Sequence, residues 1–321
     1  MNQEIEEVEH LPVMVGEVVD GLDVLTGGTF VDCTVGLGGH SKAILDASPD
    51  GKLIGIDRDP DALEIARKRL PSDASRIRLV HGNFKGIKEI LAGQPVEWIG
   101  EGVSGILADL GVSSLQLDRA ERGFSFQSDA SLDMRMDPTS GETAAEIIER
   151  LDERELADLI FNYGQEPGSR RIARAIVKER EKSPIETTKR LADIVVRALH
   201  KKGYWRVHPA TKTFQALRIA VNDELNGLEA WTSDAVDCLK KSGRLAIITF
   251  HSLEDRIVKR SFQFLSGSCI CPPGPKGLGA CVCGATKRVN ILTRRPIVPS
   301  ADETAKNARA RSAKLRLCEK I

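Results

Sequence analysis

The stretch Phe30-Val-Asp-Cys-Thr-Val-Gly-Leu-Gly-Gly-His-Ser41 decides the fold. Its first half is a short apolar run with β-branched residues, which predicts a buried strand, and glycines follow at once. Glycine lets the backbone turn tightly and approach a ligand, while a helix that begins just behind brings its amino terminus to the same point. This order predicts a ligand site at the end of the first strand, with Gly38 and Gly39 beside the ligand.

Three more strand ends carry candidate ligand contacts. Asp57 ends the second predicted strand, Phe84 follows the third and Asp109 ends the fourth. An acidic side chain after the second strand can accept hydrogen bonds from both ribose hydroxyls of a nucleoside. Each feature alone is a weak signal, because an aspartate there more often caps a helix, but their order at successive strand ends is a stronger one.

Two nucleoside cofactors fit such a site, NAD and S-adenosylmethionine. NAD requires the pyrophosphate contact that the pattern G-x-G-x-x-G provides. S-adenosylmethionine has no phosphate, so the looser G-x-G-G of Gly36 to Gly39 is sufficient for it. The sequence therefore favours the methyl donor over NAD.

Apolar runs alternate with helix-length segments up to about Gly111, which predicts βαβ units and a parallel sheet. The predicted strands are 29–35, 52–57, 76–81, 104–110 and, much later, 243–250. Amphipathic helices are predicted between the last two, at 144–151, 153–163, 169–182, 187–200 and 210–239, the last broken near Asn226. We therefore expect an α/β fold in which 1–112 and 217–321 form one domain and 113–216 a mostly helical insertion.

Charge is unevenly distributed along a chain of 321 residues that has 46 basic and 46 acidic side chains. Residues 1–164 have 15 basic and 31 acidic side chains, 165–216 have 13 and 5, and 287–321 have 10 and 3. The two basic segments suit RNA binding, and solvated helical faces with paired charges are the alternative. The candidate RNA contacts are Arg170, Arg171, Arg174, Lys212, Arg309 and Arg311.

The composition of the chain indicates which class of protein it belongs to. With 41% hydrophobic and 29% charged residues, the chain is expected to be folded rather than disordered. No apolar run approaches the ~20 residues that span a bilayer, and the acidic first residues do not resemble a signal peptide. We expect a cytoplasmic protein without a membrane partner. The sequence leaves the oligomeric state open, a homodimer included.

Seven cysteines are too few for a disulfide scaffold in a chain of this length. Four of them lie within fifteen residues: Cys269, Cys271, Cys281 and Cys283. Two short pairs of thiolates suit tetrahedral Zn²⁺, although C-x-C is less diagnostic than C-x-x-C. The sequence predicts a structural zinc site, with four reduced and unligated thiols as the alternative.

Several longer motifs resemble the RsmH (MraW) family. They include Leu110-Gly-Val-Ser-Ser114, Arg122-Gly-Phe-Ser-Phe126, His208-Pro-Ala-Thr-Lys-Thr-Phe-Gln-Ala216 and Phe250-His-Ser-Leu-Glu-Asp-Arg-Ile-Val-Lys259. The resemblance spans nearly the whole chain and implies a Rossmann-like class I methyltransferase sheet. It implies methyl transfer from S-adenosylmethionine to the exocyclic N4 of a decoding-centre cytosine in 16S rRNA of the small ribosomal subunit. The cofactor contacts that it implies are Gly38, Gly39, His40, Asp57, Phe84, Asp109 and Gln116.

The chemistry of amino-group methylation points to Asp109. The amino nitrogen of cytosine is a poor nucleophile because its lone pair is delocalised, so an enzyme must position it and accept its proton. Asp109 is the candidate for that role, or it binds the cofactor alone. Methylation at carbon 5 would require a cysteine nucleophile, and none follows the fourth strand until Cys238.

Other candidate roles stay open at the sequence level. Phe124, Phe126, Tyr204 and Trp205 are candidates for stacking on the base, although core packing is favoured for each ring. His251 is a candidate to relay a proton or to bind a phosphate, and the alternative for this motif is that Glu254 and Asp255 only cap the next helix. A second hypothesis for the whole chain is a ribosome-assembly factor that retains the fold without catalysis.

Overall fold

The computed structural model describes residues 12–199, 207–271 and 283–321. In that part of the chain, one sheet contains seven strands: β1 (Thr29–Asp32), β2 (Lys52–Asp57), β3 (Ile77–His81), β4 (Val103–Asp109), β5 (Leu239–Thr249), β6 (Val289–Ile291) and β7 (Lys314–Lys320). Their spatial order is β3-β2-β1-β4-β5-β7-β6. Strands β1 to β5 are parallel to one another, and β7 is antiparallel to both β5 and β6.

Helices occupy most of the remaining described chain. They are α1 (Val15–Leu22), α2 (Gly39–Ala47), α3 (Pro60–Arg69), α4 (Ile87–Ala92), α5 (Val96–Ile99), α6 (Ser114–Asp118), α7 (Ala144–Arg150), α8 (Glu153–Gly164), α9 (Ser169–Arg180), α10 (Thr188–Leu199), α11 (Thr211–Asn222), α12 (Leu228–Cys238), α13 (Ser252–Leu265) and α14 (Ala301–Lys306). None of the helices in the described ranges is both long and apolar enough to cross a membrane.

The sheet has an apolar core on each face because side chains of a strand alternate in direction. On β5, Leu245 and Ile247 belong to one core, and Ala246 and Ile248 belong to the other. The first core also contains residues of α4, α12 and α13, and the second contains residues of α1, α2 and α3. Burial on both faces explains why these strands are continuous apolar runs in the sequence.

The chain divides into two compact units. One unit comprises the described residues up to Gly111 together with Asn226–Ile321 and contains the sheet. The other, Val112–Leu225, is mostly helical and has a core of its own, in which Leu156, Ile172 and Leu191 are fully buried. The expected end of the insertion at residue 216 falls inside α11, and the unit continues to Leu225, beyond the end of that helix at Asn222.

Local sequence signals explain most element boundaries. Asp59 caps α3 by accepting a hydrogen bond from the Asp61 N–H, with Pro60 in the first turn. The long helical stretch is interrupted as expected, because α11 ends at Asn222 and Gly227 precedes α12 in a left-handed conformation. Strand β5 was expected from residue 243 but begins at Leu239, so α12 ends one residue earlier than the helical pattern indicated.

Candidate cofactor site

The loop that joins β1 to α2 depends on glycine at two positions. Gly38 is the N-cap of α2 and has a φ of 85°, a left-handed conformation that other residues rarely adopt. Gly39 begins the helix where the chain approaches closely, because a Cβ atom on it would lie 2.8 Å from Cγ of Pro12. The start of α2 therefore presents backbone with no side chain of its own, as a close ligand contact requires.

Three carboxylates lie at the carboxyl ends of neighbouring parallel strands: Asp32 on β1, Asp57 on β2 and Asp109 on β4. Asp32 is completely buried and accepts hydrogen bonds from the Ser41 hydroxyl at 2.6 Å and the Thr34 N–H at 3.1 Å. Asp32 was not predicted from the sequence. It is the single acidic residue in the apolar first strand, and that exception is the signal that could have identified it.

Asp57 and Asp109 differ in how their oxygens are engaged. Asp57 accepts hydrogen bonds from the backbone N–H groups of Gly36 at 2.7 Å and Asp59 at 2.9 Å, one on each oxygen. The backbone N–H of Asp109 donates to the Thr34 hydroxyl at 2.7 Å. Its side-chain Oδ1 is buried, and no described residue donates a hydrogen bond to it. Asp109 therefore has a buried oxygen that can accept a hydrogen bond from a bound molecule.

Burial raises the pKa of all three carboxyl groups, to about 6 for Asp57 and for Asp109. The charges of Asp32 and Glu254 raise the pKa of Asp109 further, and His40 opposes that effect. Three carboxylates close together at one sheet edge are stabilised when one of them takes up a proton or when a cationic ligand binds beside them.

His40 lies between the amino-terminal segment and Asp109. It is only 6% exposed, and its Nε2 is 2.8 Å from the carbonyl oxygen of Val13. That oxygen can only accept, so Nε2 carries the proton. Nδ1 is 3.8 Å from Oδ2 of Asp109. In a neutral ring Nδ1 is an acceptor, so it does not donate a hydrogen bond to Asp109.

The two remaining predicted cofactor contacts lie in different units. Phe84 follows β3 in the sheet unit, and its half-buried ring meets Trp231 edge-on with centroids 4.9 Å apart. Gln116 lies in α6 of the helical unit, where its side-chain oxygen accepts a hydrogen bond from the Ser113 N–H at 3.0 Å. The structure thus places six of the seven predicted residues at the loop and strand ends of one unit, and Gln116 belongs to the other unit.

The candidate RNA contacts are exposed, and some carry ion pairs. Arg170, Arg171 and Arg174 lie on the solvent side of α9, which buries Ile172 and Ile176. Nε of Arg174 is 3.3 Å from Glu153, and Lys212 donates to the Gln165 carbonyl at 2.9 Å. Arg309 and Arg311 are exposed on the 3-10 helix Ala308–Ser312. Some of these basic residues are therefore paired with other groups of the protein, which is the alternative to RNA binding.

Two of the candidate base-stacking rings, Phe124 and Phe126, and His251 have contacts within the fold. Phe124 is buried in the core of the helical unit, and Phe126 stacks on His208 with centroids 4.6 Å apart. Tyr204 and Trp205 lie outside the described residues. His251 is the N-cap of α13, and it forms a capping box with Glu254, so helix capping explains its position after β5.

Three cysteines of the predicted metal site converge. Cys269, Cys271 and Cys283 hold their sulfur atoms within 4.8 Å of one another, and the first two are exposed. Cys281 lies outside the described residues. The remaining cysteines are separate from this group: Cys33 and Cys318 are buried in the sheet unit, and Cys238 is half-buried at the end of α12.

The strand order, the antiparallel β7 and the glycine loop after β1 define a Rossmann-like class I methyltransferase fold, as the sequence predicted. The chain belongs to the MraW methylase family, whose family model matches residues 7–321.

Two curated relatives are similar over almost their whole length. A protein of Geobacter sp. (strain M21) named ribosomal RNA small subunit methyltransferase H is 50% identical over 319 residues, covering 99% of this chain and 100% of that protein. A protein of the same name from Geobacter sulfurreducens is 53% identical over 315 residues, covering 97% and 99%. A solved structure of a putative rRNA-methylase from Clostridium thermocellum matches with a TM-score of 0.39 and 12% identity, covering 97% of this chain and 100% of that one. Similarity of structure at that level is too low to bear on function.

Proposed function

We propose that this chain transfers a methyl group from S-adenosylmethionine to the exocyclic N4 of a decoding-centre cytosine in 16S rRNA. The names of its relatives support an rRNA of the small subunit as the substrate. The enzyme then acts in the cytoplasm, with the small ribosomal subunit or its RNA as partner. The rest of the proposal depends on the site and its charges.

The observation that carries the cofactor assignment is the group of three carboxylates, Asp32, Asp57 and Asp109, beside a glycine loop. The pyrophosphate of NAD would bring negative charge to a place where burial already penalises three anions. S-adenosylmethionine brings a sulfonium cation and a ribose with two hydroxyl donors. The charges therefore fit the methyl donor and oppose the dinucleotide.

Each site residue has a role in this proposal. Gly38, Gly39 and His40 form the loop that the cofactor lies against, and the free lone pairs of Asp57 accept from the ribose hydroxyls. Phe84 flanks the adenine. The edge-on contact with Trp231 leaves a face of the Phe84 ring available for this role. Gln116 is the one cofactor contact proposed on the resemblance alone.

Asp109 is the proposed proton acceptor for the reaction. The cofactor supplies a methyl group bound to a positively charged sulfur, so attack by the N4 lone pair forms the N–C bond while the C–S electron pair returns to sulfur. The methylated nitrogen must then lose a proton. The buried Oδ1 of Asp109, to which no described residue donates, is available to take it, and a pKa of about 6 lets it act near neutral pH.

Methylation at carbon 5 is the chemical rival, and the sheet unit disfavours it. That route needs a cysteine thiolate. Burial raises the pKa of Cys33, of Cys318 and of Cys238, the last to about 11, so each stays a thiol at neutral pH. The raised pKa values support transfer to nitrogen.

The test offers labelled cofactor to small ribosomal subunits, and in parallel to naked 16S rRNA, from a strain that lacks the activity. We expect label in N4-methylcytidine at one decoding-centre position. Asp109→Asn should lower the turnover number at least 100-fold, and Asp50→Asn, which changes an exposed aspartate outside the site, should not change it. Label at carbon 5 contradicts the proposed chemistry.

Absence of label in any RNA, together with specific binding to the subunit, would favour the non-catalytic assembly factor. Sedimentation of the same protein separates the monomer from the homodimer that the sequence left open. The six basic candidates Arg170, Arg171, Arg174, Lys212, Arg309 and Arg311 are proposed to contact RNA phosphates.

A further inference from the structure

Two described segments between α13 and β6, 266–271 and 283–288, form two arms that meet at their base. The backbone N–H of Arg288 donates to the Leu265 carbonyl at 2.7 Å, and Ser266 pairs with Lys287 in an antiparallel bridge. Gly267 approaches so closely that a Cβ atom on it would lie 3.3 Å from the Lys287 backbone. Residues 266–271 and 283–288 are therefore held side by side.

Three thiols meet beyond this base. Cys269 and Cys271 lie on the first arm and Cys283 on the second, with their sulfur atoms within 4.8 Å of one another. The C-x-C pair on the first arm thus presents both thiols to one place. Arg260 steadies this arm by donating to the Ile270 carbonyl at 3.2 Å.

The spacing suits a tetrahedral metal better than a disulfide. Zinc–sulfur bonds of about 2.3 Å place thiolates of a tetrahedral site roughly 3.8 Å apart, and the three sulfur atoms lie within 4.8 Å of one another. A disulfide would instead need two of the sulfur atoms about 2.0 Å apart. Three convergent thiols on exposed arms are what a soft divalent cation binds.

We propose that Cys269, Cys271 and Cys283 bind one Zn²⁺ ion that closes the two arms into a structural site. Nothing in the proposed methyl transfer requires it. Cys281, the fourth cysteine of the sequence pattern, lies outside the described residues. The assignment rests on the three thiols that do converge.

The place of the arms in the fold makes the role structural. Helix α13 starts at the carboxyl end of β5, and β6 runs parallel to β5 because both are antiparallel to β7. The arms therefore lie at the amino edge of the sheet, opposite the strand ends that carry Asp57 and Asp109. Strand β6 is only three residues long and lies at the edge of the sheet, so the metal would fix the chain that leads into it.

The test is metal analysis of the full chain expressed without added metal and purified without chelators. We expect about one zinc per chain in the wild type and in Cys238→Ser, a control outside the arms, and under about a tenth of that in Cys269→Ser and Cys283→Ser. Less than a tenth of a zinc in the wild type, stoichiometric iron, or equal zinc in all variants would overturn the proposal.

Two further measurements separate a built site from adventitious binding. Cobalt bound in place of zinc should show the intense visible bands of tetrahedral thiolate coordination, whereas weak octahedral bands contradict the site. Removal of zinc should speed hydrogen exchange in residues 283–291 and leave the affinity for S-adenosylmethionine within about twofold of its starting value. Unchanged exchange would exclude the structural role, and a cofactor that never binds would count against the proposed function alone.

Discussion

Asp57 and Asp109 enter the folded state with pKa values of about 6, compared with an ordinary value of 3.8. Between those two values the folded protein binds more protons than the unfolded chain does. The free energy of unfolding that these groups contribute therefore falls as the pH rises from about 4 to about 6, and it stays low above that. At neutral pH both carboxylates are ionised at a cost that a bound cation can offset.

Cofactor affinity should depend on pH for that reason. We expect S-adenosylmethionine to bind more tightly as the pH rises from 5 to 7.5, by about tenfold for each carboxylate that must ionise. S-adenosylhomocysteine lacks the sulfonium charge, so its affinity should rise less. Titration calorimetry of both ligands across this range measures the difference.

A matched pair of variants tests the cause of that dependence. Asp57→Asn removes one titrating group and should flatten the pH profile, and Asp50→Asn, at an exposed position, should preserve it. An affinity that is constant from pH 5 to 7.5 in the wild type would show that the carboxylates do not titrate with the ligand.

At the scale of elements, one ion-pair group joins α13 to β7. Asp255 on α13 accepts from Nε of Arg316 at 2.7 Å and from Lys314 at 3.2 Å, and Arg316 is only 5% exposed. These partners hold the pKa of Asp255 below its ordinary value, against the effect of burial. The stabilisation is therefore present above about pH 4 and is lost as the pH falls further.

Removing this carboxylate should be costly because Arg316 would keep a buried charge without its partner. We expect Asp255→Ala to lower the free energy of unfolding by about 3 kcal/mol at pH 7 in urea titrations. The control is Asp46→Ala, which breaks the exposed pair with Lys42 and should cost under about 0.5 kcal/mol. Equal effects of the two variants would contradict the argument.

The sequence predicted elements whose pattern is local and missed those that depend on distant partners. Strands β1 to β5 and their helices were predicted because buried parallel strands are apolar runs. Strand β7 was not predicted, because it lies in the basic segment 287–321 and its residues pair with β5 only in the folded sheet. The three residues of β6 are too few for any period.

In the candidate site too, residues with a local sequence signal were predicted and their distant partners were not. Asp57 and Asp109 were predicted because each ends an apolar run, and their partners could not be, since Gly36 and Thr34 become their neighbours only through the fold. Gln116 came from the resemblance alone, because no strand-end argument extends to α6.

The 3-10 helix Ala308–Ser312 carries a prediction about RNA. Replacing Arg309 and Arg311 by Ala should weaken binding to 16S rRNA and reduce the slope of log affinity against log salt by about 1 per lost phosphate contact. Arg294 and Arg295, another exposed pair, serve as the control, and their loss should leave the slope nearly unchanged. An unaltered slope in the first variant would remove these arginines from the RNA surface.

At the scale of the whole molecule, the uneven charge along the sequence does not give the two units opposite net charges. The helical unit Val112–Leu225 has 19 basic and 19 acidic side chains, so its net charge is zero, and the sheet unit is neutral as well. The basic stretch 165–216 shares its unit with an acidic stretch. RNA binding, as proposed, then depends on where charge lies on a neutral unit and not on the total charge.

Separate cores predict separate responses to core mutations. Leu191→Ala in the helical unit should cost about 2–5 kcal/mol and speed hydrogen exchange in α7 to α11, with cofactor affinity changed less than twofold. Leu245→Ala on β5 should instead speed exchange in the sheet. Exchange that rises equally in both units for either variant would show a single cooperative body.

The discontinuous sheet unit also has a consequence for synthesis. Strands β1 to β4 leave the ribosome first, but about 130 residues separate the end of β4 from the start of β5, its neighbour in the sheet. At roughly 5–20 residues per second, the nascent chain waits on the order of ten seconds with the apolar edge of β4 unpaired. The helical unit, with a core of its own, can fold during that interval. We therefore expect chaperones to engage this chain at the half-made sheet.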